Sequence, residues 1–200
     1  MIRAVAFDVM DTLLADPFRE ALEAATGRPL AELFRHRDPD LYPAFERGEI
    51  TEEAYWAGHV ERGMAVDPAA FHRVRRAGTR WLPGMRDLLE ELAGRVHRLT
   101  ATNYPRWIEE LADGPLAGSV DEVVASCHLG VRKPDPAFYR ALVARSGVSA
   151  AEVAFVDDRE ENVAAAREVG LEAYTFTDAD GVRGWLVGLG VPLTAGAADA

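Results

Sequence analysis

Six polar residues could share one piece of chemistry. Asp8 closes the apolar run Ala4-Val5-Ala6-Phe7, Thr102 and Asn103 follow Arg95-Val96-His97-Arg98-Leu99-Thr100, and Asp157-Asp158 follow Val153-Ala154-Phe155-Val156. Lys133 comes after Val120-Asp121-Glu122-Val123-Val124-Ala125, in a loop stiffened by Pro134 and Pro136. Of the 22 basic residues this is the one lysine, all others being arginine. Lysine is a compact point charge and arginine a broad planar fork. Taken singly, each residue has a structural use, since an Asp at a strand end caps a turn and Thr-Asn before Tyr-Pro makes a loop. Taken together, three carboxylates, a hydroxyl and a solitary ammonium suit phosphoryl transfer through an aspartyl intermediate. A phosphate dianion repels a carboxylate, so a divalent cation must bridge them. Mg2+ does so with one or two carboxylates, substrate oxygens and waters. Asp8 and Asp158 fit that pair, and Lys133 and Thr102 are the compact cation and hydroxyl donor that charge on phosphoryl oxygens requires.

Convergence of these residues requires that their strands end on one rim. Runs of four to seven residues rich in Val and Phe, bounded by turn residues, read as strands; the last is Glu172-Ala173-Tyr174-Thr175-Phe176. Helical patterns lie between them at Met85–Ala93, Arg106–Ala112, Ala137–Arg145 and Glu160–Val169. Asp135 reads as an N-cap, and Gly147 and Gly170 as helix stops. Strand–helix alternation predicts an α/β fold, a doubly wound, Rossmann-like parallel sheet with right-handed crossovers. Ligands then bind beyond the carboxyl ends of the strands, near a switch point. Residues 16–80 break the rhythm: they hold no good strand, and Thr51-Glu52-Glu53-Ala54 reads as a helix start. An interval of this length after a first strand is too long for an ordinary connection. A small all-helical cap over the strand ends is expected there, with 1–15 and 81–200 forming the core. The aromatics Phe18, Phe34, Tyr42, Phe45, Tyr55 and Trp56 read as the cap's own core, and the tail from Gly188 is expected to fray.

Composition closes several alternatives. With 48% hydrophobic and 28% charged residues the chain can bury a core. A net charge of −11 opposes nucleic acid or an anionic membrane as partner. No apolar run is long enough to span a membrane, and Asp8 interrupts the N-terminal run too early for a secretory leader, so a cytoplasmic protein is expected. Cys127 stands alone, which excludes an internal disulfide and a Cys-based zinc site. No phosphate loop ending in Gly-Lys and no G-x-G-x-x-G after a strand is present. The five histidines are dispersed and carry no assigned role. A signalling receiver also uses Asp, Thr and Lys on a parallel sheet, but its acidic pair would follow the first strand and its Lys would come last.

The chain resembles the haloacid dehalogenase (HAD) superfamily of hydrolases. The motifs are Phe7-Asp8-Val9-Met10-Asp11-Thr12-Leu13, then Thr102-Asn103, Arg132-Lys133-Pro134-Asp135-Pro136, and Phe155-Val156-Asp157-Asp158-Arg159-Glu160-Glu161-Asn162. They stand in family order across nearly the whole chain. Arg47-Gly48-Glu49-Ile50-Thr51 and Pro83-Gly84 resemble the branch with a small helical cap after the first strand. The resemblance implies that Asp8 is nucleophile and metal ligand. It also implies that the backbone carbonyl of Met10 and the Asp158 carboxylate complete the protein's share of Mg2+, with Asp157 as a further candidate. Thr102, with backbone from Asn103, would hold the transferring group, and Lys133 would neutralise it and tie down Asp157 or Asp158. The expected partner is a small phosphorylated metabolite. The sequence carries no sign of oligomeric state, nor of which cap residues choose the substrate.

One position departs from the family's phosphatase pattern. The usual first motif is Asp-x-Asp-x-Thr, its second Asp serving as general acid and base; that place is Met10 here, and an Asp follows at position 11. Side chains alternate along an extended chain, so residues 8 and 10 face one side and Asp11 the other unless a turn re-aims it. General acid–base help is worth ~100- to 10,000-fold. Its loss hurts alkyl phosphates most, because their leaving oxygen needs a proton. Three functions are therefore weighed: a Mg2+-dependent phosphatase of small esters as the leading reading, a carbon–halogen hydrolase like the family's dehalogenases, and a weakly active or inactive binding protein on the same fold. The dehalogenase branch needs neither the second Asp nor Mg2+, but it has little use for the Asp157-Asp158 pair.

Overall fold

The computed structural model describes residues 1–36 and 38–193. Among them, β1 (Ala4–Phe7), β2 (His97–Thr100), β3 (Val153–Asp157) and β4 (Glu172–Thr175) form one all-parallel sheet in the order β2-β1-β3-β4. β1 is central and wholly buried, as a continuous apolar run covered on both faces should be. The chain leaves β1 to build β2 on one side and later returns to build β3 on the other. The switch point therefore lies at the carboxyl end of β1. Register aligns the exits: Phe7 pairs with Thr100 and with Val156. Asp8 and Asp157 therefore emerge at one level, and Thr102 two residues beyond its own partner.

The expected strand at Val120–Ala125 is not a strand. It makes isolated parallel bridges, Leu99 with Glu122 and Thr102 with Ala125. Between them the Thr100 hydroxyl takes the place of a backbone partner, accepting from the Val124 amide at 2.8 Å and donating to the Val124 carbonyl at 3.0 Å. A side chain that occupies the ladder interrupts it, and composition alone does not show that.

Between β1 and β2 the chain runs through α1 (Phe18–Thr26), α2 (Leu30–His36), α3 (Leu41–Glu46), α4 (Glu52–Glu61), α5 (Pro68–Gly78) and α6 (Met85–Leu92). Capping explains two starts: Thr51 accepts from the Ala54 amide and Asp67 from the Ala70 amide. Aromatic rings fill the space among α1, α3, α4 and α5. Phe45 stacks on Tyr55 at 4.9 Å, and Phe18 meets Phe71 edge-on at 5.7 Å. This cluster is not the insert's alone, because Trp107, from the loop after β2, packs on Phe71 at 4.8 Å and on Phe45 at 5.0 Å. The Phe34 side chain and the tail beyond 193 lie outside the described residues.

After β2 come α7 (Ile108–Asp113), α8 (Ser126–Leu129), α9 (Pro136–Ser146), α10 (Glu160–Glu168) and α11 (Ala179–Gly188). Asp135 caps α9 through the Ala137 amide, and Gly147 ends it with a left-handed φ of 70°. Helices on both sides cover the sheet, and two buried clusters result, one on each face. Among the described residues no helix is long and apolar enough to cross a membrane.

Candidate active site

A cavity of about 540 Å³ opens at the carboxyl rim of the sheet. From the strand ends it is lined by Asp8, Met10, Thr102, Asn103 and Asp158, and from the loop after α8 by Lys133. Every residue singled out from the sequence reaches it except Asp157, which lies just beneath. Parallel register explains the convergence of Asp8, Thr102, Asn103 and Asp158, which follow adjacent strands at matching levels; Lys133 is brought there by the loop after α8.

Lys133 sits at the centre of the charge. Its side chain is 1% exposed, and its ammonium lies 3.1 Å from Asp8 Oδ1 and also contacts Asp157 Oδ2. Burial works against the lysine's charge, yet Asp8 and Asp157 hold it above its ordinary range. One cation between two buried carboxylates leaves a net negative charge. Burial, opposed by Lys133 and aided by Asp157, pushes the Asp8 carboxyl up to about 7. The Val9 amide also donates to Asp8 Oδ1, at 2.7 Å.

Adjacent aspartates serve opposite purposes. Asp157 is fully buried, and both its oxygens are engaged: Oδ1 accepts from the Arg159 amide and from Asn162 Nδ2, each at 2.9 Å, while Oδ2 accepts from Lys133. Asp158 faces the cavity, and desolvation there, with Asp157 and Asp11 nearby, pushes its carboxyl up to about 6. Carboxylate oxygens of Asp8, Asp157 and Asp158 lie within 4.8 Å of one another, close enough to share a cation. Asp157 is buried with three donors on its two oxygens, whereas Asp8 and Asp158 line the cavity and are the pair with more capacity for a ligand. The Met10 carbonyl accepts no hydrogen bond among the described residues, which leaves it available as a third oxygen. Two carboxylates and a carbonyl make an all-oxygen donor set of the kind Mg2+ takes.

Asn103 does something the sequence did not suggest. Its side-chain amide clamps the Lys133 backbone from both sides, Nδ2 donating to the carbonyl at 2.9 Å and Oδ1 accepting from the amide at 2.8 Å. The side chain therefore positions the lysine loop. Thr102 is 1% exposed, and its carbonyl accepts from the Ser126 amide. Asp11 is indeed re-aimed by a turn: it has φ 57°, rare outside glycine, and it too lines the cavity. Its Oδ1 accepts from the Asp16 amide at 3.2 Å.

The rest of the lining comes from residues to which the sequence assigned no role. Asp16, Arg19 and Glu46 belong to the insert, and Arg132, Arg159 and Asn162 to the core. Glu46 ends α3, 5% exposed, with Oε2 at 2.8 Å from Arg132. Burial, offset in part by Arg132, pushes its carboxyl up to about 7. Its neighbour Gly48 hinted at this place: a helix-ending glycine marks a sharp turn, and φ is 70° there. Nothing in a helical pattern says which helix end will meet the sheet rim.

Comparison with known proteins agrees with the geometry. The sequence model of the haloacid dehalogenase-like hydrolases matches residues 2–170. The chain is similar to flavin mononucleotide hydrolase 1 of Arabidopsis thaliana, 36% identical over 187 residues covering 92% of this chain and 76% of that protein. It is also similar to the phosphoglycolate phosphatase of Rhodospirillum rubrum, 40% identical over 195 residues, 86% of this chain and 78% of the other. Among solved structures, a HAD family enzyme of Bacteroides thetaiotaomicron in complex with magnesium and inorganic phosphate superposes with a TM-score of 0.75 at 19% identity, covering 89% of this chain and 96% of that one.

Proposed function

Because this chain belongs to the haloacid dehalogenase-like hydrolases, we propose that it is a Mg2+-dependent phosphatase of small phosphate esters, working through an aspartyl phosphate on Asp8. The observation that carries this reading is the Asp8 carboxylate at the mouth of the central strand, beside a buried ammonium and facing a cavity it shares with Asp158 and Thr102. A relative that is a phosphatase by name and a structural neighbour holding magnesium with phosphate add support.

In this reading an Asp8 oxygen attacks phosphorus and the ester oxygen departs on the far side. Lys133 and the Thr102 hydroxyl take up charge on the phosphoryl oxygens, with Lys133 aimed by Asn103 and Asp157. Asp8, Asp158 and the Met10 carbonyl would hold Mg2+. Its positive charge lets a phosphate dianion approach a carboxylate. Residues 1–15 and 81–200 act as the catalytic core and 16–80 as the cap that selects the ester. The substrate is a small phosphorylated metabolite; nucleic acid and membrane are not partners of so acidic a chain. A metal-free carbon–halogen hydrolase is less well served, because Asp158 beside Asp8 would repel the carboxylate of a haloacid.

The test is hydrolysis of an activated aryl phosphate with and without Mg2+. Activity is expected only with the metal, and Asp8→Asn should remove it by a factor of at least ~1,000. Undiminished turnover by Asp8→Asn would overturn the reading.

A further inference from the structure

Met10 cannot supply the proton that an alkyl leaving group needs, and the cavity has further carboxyls in its lining. Besides Asp8 and Asp158, three carboxylates line it: Asp11, Asp16 and Glu46. Asp11 is exposed and committed to the Asp16 amide. Asp16 Oδ1 accepts from the Phe18 amide at 2.9 Å, holding the start of α1. Glu46 is different. Its side chain is 6% exposed, and Oε2 pairs with the Arg132 guanidinium at 2.8 Å. Taking a carboxyl and a guanidinium out of water costs free energy that their pairing only partly returns, so the position calls for a use.

Glu46 is also held firmly. Its carbonyl accepts from the Ser126 hydroxyl at 2.6 Å, and that hydroxyl in turn accepts from the Tyr104 amide at 3.0 Å. Two residues on, the chain passes so close to the core that a Cβ on Gly48 would stand 2.9 Å from the Cys127 carbonyl oxygen. The turn that ends α3 is thus pinned to the core beside the catalytic rim. In-line displacement sends the leaving oxygen away from the attacking one and into the cavity, and Glu46 lines that same cavity with Asp8.

Resting on the phosphatase reading above, we infer that Glu46 is the general acid and base of this enzyme, in the place of the aspartate absent at Met10. In the first step an Asp8 oxygen bonds to phosphorus, the phosphorus–ester bond breaks, and the ester oxygen takes the Glu46 proton to leave as an alcohol. Arg132 stabilises the resulting carboxylate. In the second step Glu46 takes a proton from water as the water oxygen attacks phosphorus, freeing phosphate and the Asp8 carboxylate. Arg132, Lys133, Asp8, Tyr42 and Tyr55 are the charged or titratable groups around it. Burial outweighs the two cations and raises the carboxyl's affinity for its proton, as an acid for this step needs.

Leaving-group dependence tests the assignment. For Glu46→Gln, kcat/KM should fall about 100-fold or more with an alkyl phosphate and less than about tenfold with 2,4-dinitrophenyl phosphate, whose leaving group needs no proton. Equal losses on both esters would make Glu46 a structural residue and overturn the inference. The wild-type chain gives a second reading that needs no variant: kcat/KM should vary little with leaving-group basicity, and a steep decline across aryl and alkyl esters would contradict a positioned acid. Loss of all Mg2+-dependent activity toward the dinitrophenyl ester in wild type would instead sink the phosphatase reading itself.

Discussion

Two carboxylates of the helical insert, Glu52 and Glu46, occupy regions built on opposite principles. Glu52 lies in the aromatic layer and accepts from Trp56 Nε1 at 2.8 Å, Trp107 Nε1 at 2.8 Å and His72 Nε2 at 2.6 Å. Burial works the other way, but these donors hold its carboxyl below the usual range. Glu46 faces the rim and receives no such set of donors. One region is satisfied and serves packing; the other keeps charge under tension, as sites that move protons do. Asp157 and Asp158 repeat the contrast in the core: one is buried with both oxygens hydrogen-bonded and the other faces the cavity.

The sharpest way to break this contrast is to remove the central cation. Lys133→Met would leave Asp8 and Asp157 buried without their counter-charge, a loss of ~3–5 kcal/mol together with almost all activity. Denaturant unfolding and turnover measure the two effects; a stable, active variant would mean that the ammonium holds nothing together. Lys133→Arg sharpens the point, because a forked cation cannot occupy that narrow space. Next in size is Phe71→Ala, which opens a cavity in the aromatic layer and should cost ~3–5 kcal/mol. Activity per folded molecule should change far less than with Lys133→Met. A selective loss of activity with unchanged stability would dissolve the distinction between the regions.

The smallest effect is in pH dependence. Glu46 binds its proton more tightly folded than unfolded, because its folded carboxyl is pushed to about 7 from an ordinary 4.5. Its contribution to stability is therefore full at low pH and is lost as pH rises from 4.5 through 7. The Tm of wild type should fall relative to that of Glu46→Gln between pH 5 and pH 8, in metal-free buffer. The same slope in both proteins would show that Glu46 carries no raised affinity for its proton.

The sheet and the rim were largely legible in the sequence, since short apolar runs ending in Asp or Thr announce both a parallel strand and what lies at its end. β1 ends at Phe7 as read, and parallel register brings Asp8, Thr102, Asn103 and Asp158 to one cavity, which Lys133 joins from the loop held by Asn103. The strand at Val120–Ala125 was misread because a Thr100 hydroxyl can replace a backbone group without changing the apolar pattern. Glu46 and Arg132 escaped notice for a different reason. Their pairing joins an insert helix to a distant loop, and helical periodicity specifies a face but not the surface that face will meet. The use of the Asn103 side chain was hidden likewise, since its partner is a backbone that folding alone brings near.

The central claim concerns a bond between Asp8 and phosphorus. Reaction with an aryl phosphate and Mg2+, acid quench, borohydride reduction of the acyl phosphate and peptide mass spectrometry read it directly. The account predicts conversion of Asp8 to homoserine, dependent on substrate and absent from Asp8→Asn. Conversion at Asp11 or Asp158, or at no aspartate while turnover proceeds, would contradict it.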